Sequence, residues 1–265
     1  MKSIDDAGVH AGDAIELARD VRENVGSAEW LERTGGSLTS AERAYLLRGM
    51  FGMIAEGFRL RRAAKRSARH RGALDAFDPP DTPIVRASKA RLEATSGRAM
   101  LNHCHRTAFW TLVVLDQQED ELDPRVVETT WVAALLHDIG LDAPPERGDF
   151  SAGGIGVLKE LAHEHGFSDE QTHDAAEAIA ANLSTRVPAA RFGSVAWAMN
   201  AGGAGELGIW PHRAQMHSAR IAELERRYPR ADFRVAAMRL IREEAKRLPA
   251  GRFALFRPVY WLLMR

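Results

Sequence analysis

The chain reads as an all-α protein. Three features predict this: apolar residues recur at helical spacing through most of the length, no segment alternates apolar and polar residues between hairpin signals, and the periodic segments are parted by proline, glycine or capping residues.

A first helix is expected over residues 12 to 25, and a second after the cap-like Thr39-Ser40, running through AERAYLLRGMFGMIAEGFRLRRAAKRSARHR. The later half of this second helix is basic (Arg59, Arg61, Arg62, Lys65, Arg66, Arg69, Arg71), which suits a solvated helix end or a subunit contact better than an anionic surface. Pro79, Pro80 and Pro83 then break the chain, because proline cannot continue a helix and restrains the residue before it. The main boundary is expected there, dividing a helical extension (1–78) from the principal domain (79–250). Beyond it helices are expected at 84–94, 97–117 and 125–138, the last starting after Asp123-Pro124 and stopping near Gly140. After the loop DAPPERGD come helices at 151–165, 169–183, 189–201, 212–228 and 231–247, the final two separated at Tyr228-Pro229-Arg230. The apolar tail 251–265 is short and carries Pro258, so it is expected to pack on the core or on a partner subunit.

With 265 residues, 45% of them apolar, the chain can bury a sizeable core. Its 36 basic and 36 acidic residues cancel, and nothing in that balance calls for nucleic acid. Cys104 is the only cysteine, which excludes an intramolecular disulfide and any multi-cysteine zinc motif; a metal would have to be held by His and carboxylates. The opening MKSIDDAGVHAGDAIELARD lacks a secretory pattern, and no run reaches the roughly 18 apolar residues of a membrane span. A cytoplasmic protein is expected, with no membrane or nucleic-acid partner and with self-association left open.

The stretch ALLHDIGL places His137 and Asp138 at the inner end of an apolar helix. Buried ionisable groups are costly unless paired or bound to a metal, so this pair asks for a partner. LNHCHRTAFW supplies Asn102, His103, His105 and Arg106 at the start of another apolar helix. Neighbouring helical residues diverge by about 100°, so His137 and Asp138 can converge on one ion only where their helix is ending, as Gly140 suggests. His105, two residues from His103, is expected to support the site or face solvent, and Arg106 to hold either a carboxylate of the fold or an anionic substrate group. Cys104 reads as packing, Trp110 and Trp131 as core. His163 and His165 look like a polar helix end, and His173 like an exposed position. Trp197 and Trp210 flank a glycine-rich segment as pocket walls, and His212 and His217 receive no role.

Together PDTP, NHCHRT, ALLHDIGL, FSAGGIGVL and HSARIAELERRYPRADF resemble the HD-domain metal-dependent hydrolase superfamily, and within it the cyanamide hydratase-like group, over residues 79 to about 250. The resemblance implies an HD-type helical bundle holding a divalent metal (Zn, Fe, Mn or Ni) through His103, His137, Asp138 and a distant carboxylate. Strict spacing puts that last ligand at Gly205, leaving Glu206 as the nearest substitute. Two-metal members add histidines where this chain has Phe150 and Asn182, so a single ion is expected. The implied chemistry is addition of metal-activated water to a small cyanamide- or nitrile-like molecule. In it, Asp138 shares its second oxygen with the water while Arg106 and Asn182 position the substrate. The alternatives are a nucleotide phosphohydrolase, for which only Arg106 offers an evident phosphate contact, and a degenerate HD-fold binding or scaffold protein.

Overall fold

A computed structural model of the chain describes residues 24–64, 74–118, 121–207 and 218–263. These form α-helices and one short 3-10 turn, with no strand among the described residues.

Local chemistry explains most boundaries. Helix α1 (Ala28–Thr34) starts where the Ser27 hydroxyl accepts the Trp30 N–H at 3.0 Å and stops at Gly35, whose φ of 59° is left-handed. Helix α2 (Ser40–Ala64) opens with a reciprocal cap: Glu42 accepts from the Thr39 N–H at 2.6 Å, and the Thr39 hydroxyl accepts from the Glu42 N–H at 3.3 Å. The 3-10 turn Leu74–Phe77 leads to α3 (Pro83–Thr95), which places Pro83 in its first turn, where the missing N–H costs nothing. Helix α4 (Arg98–Asp116) follows, then α5 (Pro124–Leu136), capped by Asp123, and the single turn α6 (Ile139–Asp142). Asp149 and Ser168 cap α7 (Phe150–His165) and α8 (Asp169–Ala181). The chain ends through α9 (Ala189–Glu206), bent at Gly193, then α10 (Ser218–Arg227), α11 (Phe233–Arg247) and α12 (Arg252–Leu263).

Four expected boundaries shift. Helix α5 stops at Leu136 rather than 138: His137 closes it with a φ of −60° and ψ of −34°, still helical, and Asp138 is the residue that leaves helical geometry. Helix α8 ends at Ala181 rather than 183, because Asn200 Nδ2 reaches the carbonyls of Ala181, Asn182 and Ser184 and gives the chain another way to satisfy them. Helix α9 continues to Glu206 instead of 201. Tail residues 252–263 are helical despite Pro258. The expected helix at 12–25 lies almost wholly outside the described residues, as do positions 212–217 and the side chains of the basic run 59–71.

Helix α4 is the hub, packing most extensively on α9 and then on α5. From His103 to Leu115 every residue is buried, as befits a helix surrounded by others. Its approach to α9 is close because Gly202 has no side chain; a Cβ there would stand 2.7 Å from the Thr111 backbone nitrogen. Trp30, Leu46, Met50 and Phe77 share one core with Leu92, Phe109 and Trp131, so residues on both sides of Pro79 pack together. Trp131 also donates through Nε1 to the Phe77 carbonyl at 3.1 Å. The apolar tail packs back on this body through Phe253 and Phe256. Among the described residues no helix is long and apolar enough to cross a membrane.

Candidate metal centre

His103 projects from the second turn of α4, and His137 with Asp138 occupies the break between α5 and α6. Asp138 takes φ −110° and ψ 2°, a non-helical conformation that lets its carboxylate fold back to the preceding ring. The chain can turn this tightly because Gly140 lies against the start of α7; a Cβ there would overlap the Phe150 carbonyl. The result is convergence. Asp138 Oδ2 lies 3.4 Å from His103 Nε2 and 3.3 Å from His137 Nε2, and the three candidate donor atoms fall within 4.8 Å of one another.

These residues fit a metal ion. Tetrahedral bonds of about 2.0–2.2 Å separate neighbouring ligand atoms by roughly 3.3–3.6 Å, and both measured separations fall in that range. His137 Nδ1 sits 2.7 Å from the Ala134 carbonyl, which selects the tautomer that leaves the Nε2 lone pair toward the common centre. The electrostatics agree. Burial works against charge on either imidazole, yet the Asp138 carboxylate overrides it and raises the His137 pKa to about 10, while Glu206 and Asp138 together raise that of His103. Burial likewise opposes ionisation of Asp138, but the two rings hold its carboxyl below the usual carboxylate range. The cluster therefore favours positive charge at its centre, and a cation competes there with protons.

Glu206 does not occupy the expected ligand position. Its Oε1 lies 3.4 Å from His103 Nδ1, the nitrogen on the far side of the ring from the cluster, and accepts from Arg106 Nε at 2.6 Å. The imidazole stands between Glu206 and the cluster centre, so this carboxylate lies behind His103 and outside the group of convergent donors. Burial opposes its charge, but His103, Arg106 and Arg230 hold its carboxyl down at about 2. Gly205 packs against Trp110 and offers no donor. Arg106 is corrected with it: the guanidinium binds the fold's own carboxylate and donates to the Tyr228 and Pro229 carbonyls at 2.9 and 3.2 Å, and it does not line the cavity.

An apolar cavity of about 100 Å³ opens beside the cluster. Asn182 borders it, as the sequence suggested. The sequence reading missed most of its walls: Met100 from α4, Phe233, Ala237 and Ile241 from α11, and Phe253, Phe256 and Tyr260 from α12. Phe233 stacks on His103 with ring centroids 4.5 Å apart. One signal was present, since Phe233, Ala237 and Ile241 recur every fourth residue and so share a helix face. His105 is buried rather than exposed, bonded to the Leu101 carbonyl and stacked on Tyr228, and burial lowers its pKa. Cys104, Trp110 and Trp131 are buried as expected, His163 and His173 exposed. Phe150 packs on Phe253. Trp197 packs against the core instead of walling the cavity. Trp210, His212 and His217 lie outside the described residues.

Comparison with known proteins finds no matching family model and no match among curated proteins.

Proposed function

We propose that the chain is a metal-dependent hydrolase or hydratase of HD-domain type, holding one divalent ion and adding water to a small molecule. The observation that carries this reading is that Asp138 Oδ2 lies 3.4 Å from His103 Nε2 and 3.3 Å from His137 Nε2, with the three residues' donor atoms within 4.8 Å of one another beside a cavity. A bound Zn, Fe, Mn or Ni ion supplies Lewis acidity, polarising an electrophile and making water a nucleophile near neutral pH.

The chain's own residues supply the rest. Asp138 directs Oδ2 at both rings, which leaves Oδ1 to accept a proton from the attacking water. Glu206, locked by Arg106, holds the His103 ring so that Nε2 faces the centre. Asn182, at the end of α8, offers both a donor and an acceptor to the substrate. The apolar walls keep bulk water from the reacting atoms. The phosphohydrolase reading loses its main support, because the guanidinium it relied on is committed to Glu206.

Elemental analysis of purified wild type, His103→Ala and Asp138→Ala tests the site; we expect near-stoichiometric metal in the first and little in the others. Equal metal in all three rejects it. Turnover of cyanamide and simple nitriles against nucleoside mono- and triphosphates, with metal added, tests the reaction. Tight metal binding with no turnover of either panel favours a binding or scaffold protein.

A further inference from the structure

The cavity's walls carry more information than its metal ligands. Among the described residues no lysine or arginine lines it, and its ionisable groups are the three candidate ligands and Tyr260. A phosphate or carboxylate group would find no cation there except the metal, and would lose hydration against Phe and Ile side chains. Apolar side chains make most of the rest of the wall, where the α11 stripe of Phe233, Ala237 and Ile241 faces Phe253 and Phe256 of α12; Ser184, Thr185 and Asn200 add polar groups near Asn182. All five apolar side chains are buried. Beside them, the Asn182 amide makes no hydrogen bond within the described protein and is only half-buried, so its donor and acceptor remain for a ligand. Gly203 keeps this corner open; a Cβ there would stand 3.2 Å from Asn182 Oδ1.

We infer that the site selects a neutral molecule of about four to six non-hydrogen atoms in all, a compact apolar body with one polar head. The head lies between the His103–His137–Asp138 cluster and Asn182, and the α11 stripe sets the size limit. This rests on the metal-site reading given above. The size follows from volume: an apolar cavity of about 150 Å³ admits benzene, and this one measures about 100 Å³. Ala237 is the position that sets the limit, because its methyl group lies between two larger members of the stripe and any longer side chain there fills the cavity. Ile241 sets the depth.

The test is a binding series on the full chain, by ligand-observed NMR, using propionitrile, butyronitrile, pivalonitrile and benzonitrile, with inorganic phosphate and adenosine monophosphate as anionic probes. We expect affinity to rise roughly fourfold per added methylene up to pivalonitrile and to fall at benzonitrile, with no saturable binding of adenosine monophosphate. Ala237→Phe should weaken the whole nitrile series at least tenfold with metal content unchanged, and Ile241→Ala should admit benzonitrile. Adenosine monophosphate binding more tightly than every nitrile overturns the inference, as does a series indifferent to both substitutions. The wild-type series decides by itself if a variant does not fold. Metal is measured on the same samples. Nitriles that bind metal-free protein keep the selectivity and remove the metal reading; metal-loaded protein that binds none does the reverse.

Discussion

Two clusters of buried charge in this fold are built to opposite rules. In one, Arg252 at the start of α12 donates to Asp149 Oδ2 from Nε at 3.1 Å and Nη2 at 2.6 Å, to the Ser151 hydroxyl at 3.0 Å, and to the Ala180 carbonyl. Asp149 spends its other oxygen on the Ser151 N–H. Donors meet acceptors throughout, and the cluster ties α12 to α7 and α8. In the other, two imidazoles and a carboxylate turn their acceptor atoms toward one point beside a cavity. A network whose donors and acceptors match one for one holds the fold, whereas three groups that can each offer a lone pair to one point beside a cavity suit a cation that displaces their protons. Burial alone does not separate the two, since both are nearly inaccessible.

The largest effect that can break this contrast is on metal content. His137→Ala should abolish metal binding, read by elemental analysis after dialysis, while thermal unfolding of the metal-free protein stays cooperative; retained metal would erase the distinction. Arg252→Ala should do the opposite, lowering stability in urea unfolding by about 3–5 kcal/mol because Asp149 is left buried without its cation. Metal stoichiometry of the folded fraction should not change. Glu206→Gln sharpens the boundary between the two kinds of cluster, as Glu206 accepts from Arg106 yet lies against His103. We expect metal affinity to fall about 10–100-fold in competition with a chromophoric chelator, with site composition unchanged.

The smallest effect concerns Glu177, an intermediate case. One oxygen accepts the Ala28 N–H at 3.2 Å at the start of α1, and the other is buried with no hydrogen-bond partner. Burial raises its pKa above the usual value for a glutamate. An acid whose pKa is higher folded than unfolded favours the native state when protonated, below its unfolded pKa, and loses that contribution as pH rises through the folded value. Glu177→Gln should therefore raise the unfolding midpoint slightly at pH 7, and the gain should vanish near pH 4. A variant less stable than wild type at pH 7 would show that the charge itself is used.

How much of this was legible beforehand differs by region. Thr39 and Asp123 mark helix starts that hold in the structure, since a cap acts over three residues and needs no distant partner; the short helix α1 behind Ser27 was not expected. His137 and Asp138 could be named because burial would penalise them at the end of an apolar helix, and LNHCHRT offered partners on a second one; the choice of His103 among these came from the resemblance to the HD-domain superfamily. Glu206 could be noticed but not placed. Its role depends on which ring nitrogen it faces, and that is set by the packing of α9 on α4, between residues 100 positions apart. The tail was expected to pack somewhere; that it walls the cavity follows from α12 being anchored by Arg252, a contact with Asp149 across 103 positions.

The all-α class and the positions of most helices beyond Pro79 were determined by the sequence alone, because propensity, capping and periodicity operate within a few residues. The tertiary structure decided which carboxylate faces both imidazoles and which lies behind one of them, and which helices enclose the cavity beside them. Those outcomes depend on the directions of side chains brought together from distant helices, and direction is a property of packing rather than of local pattern.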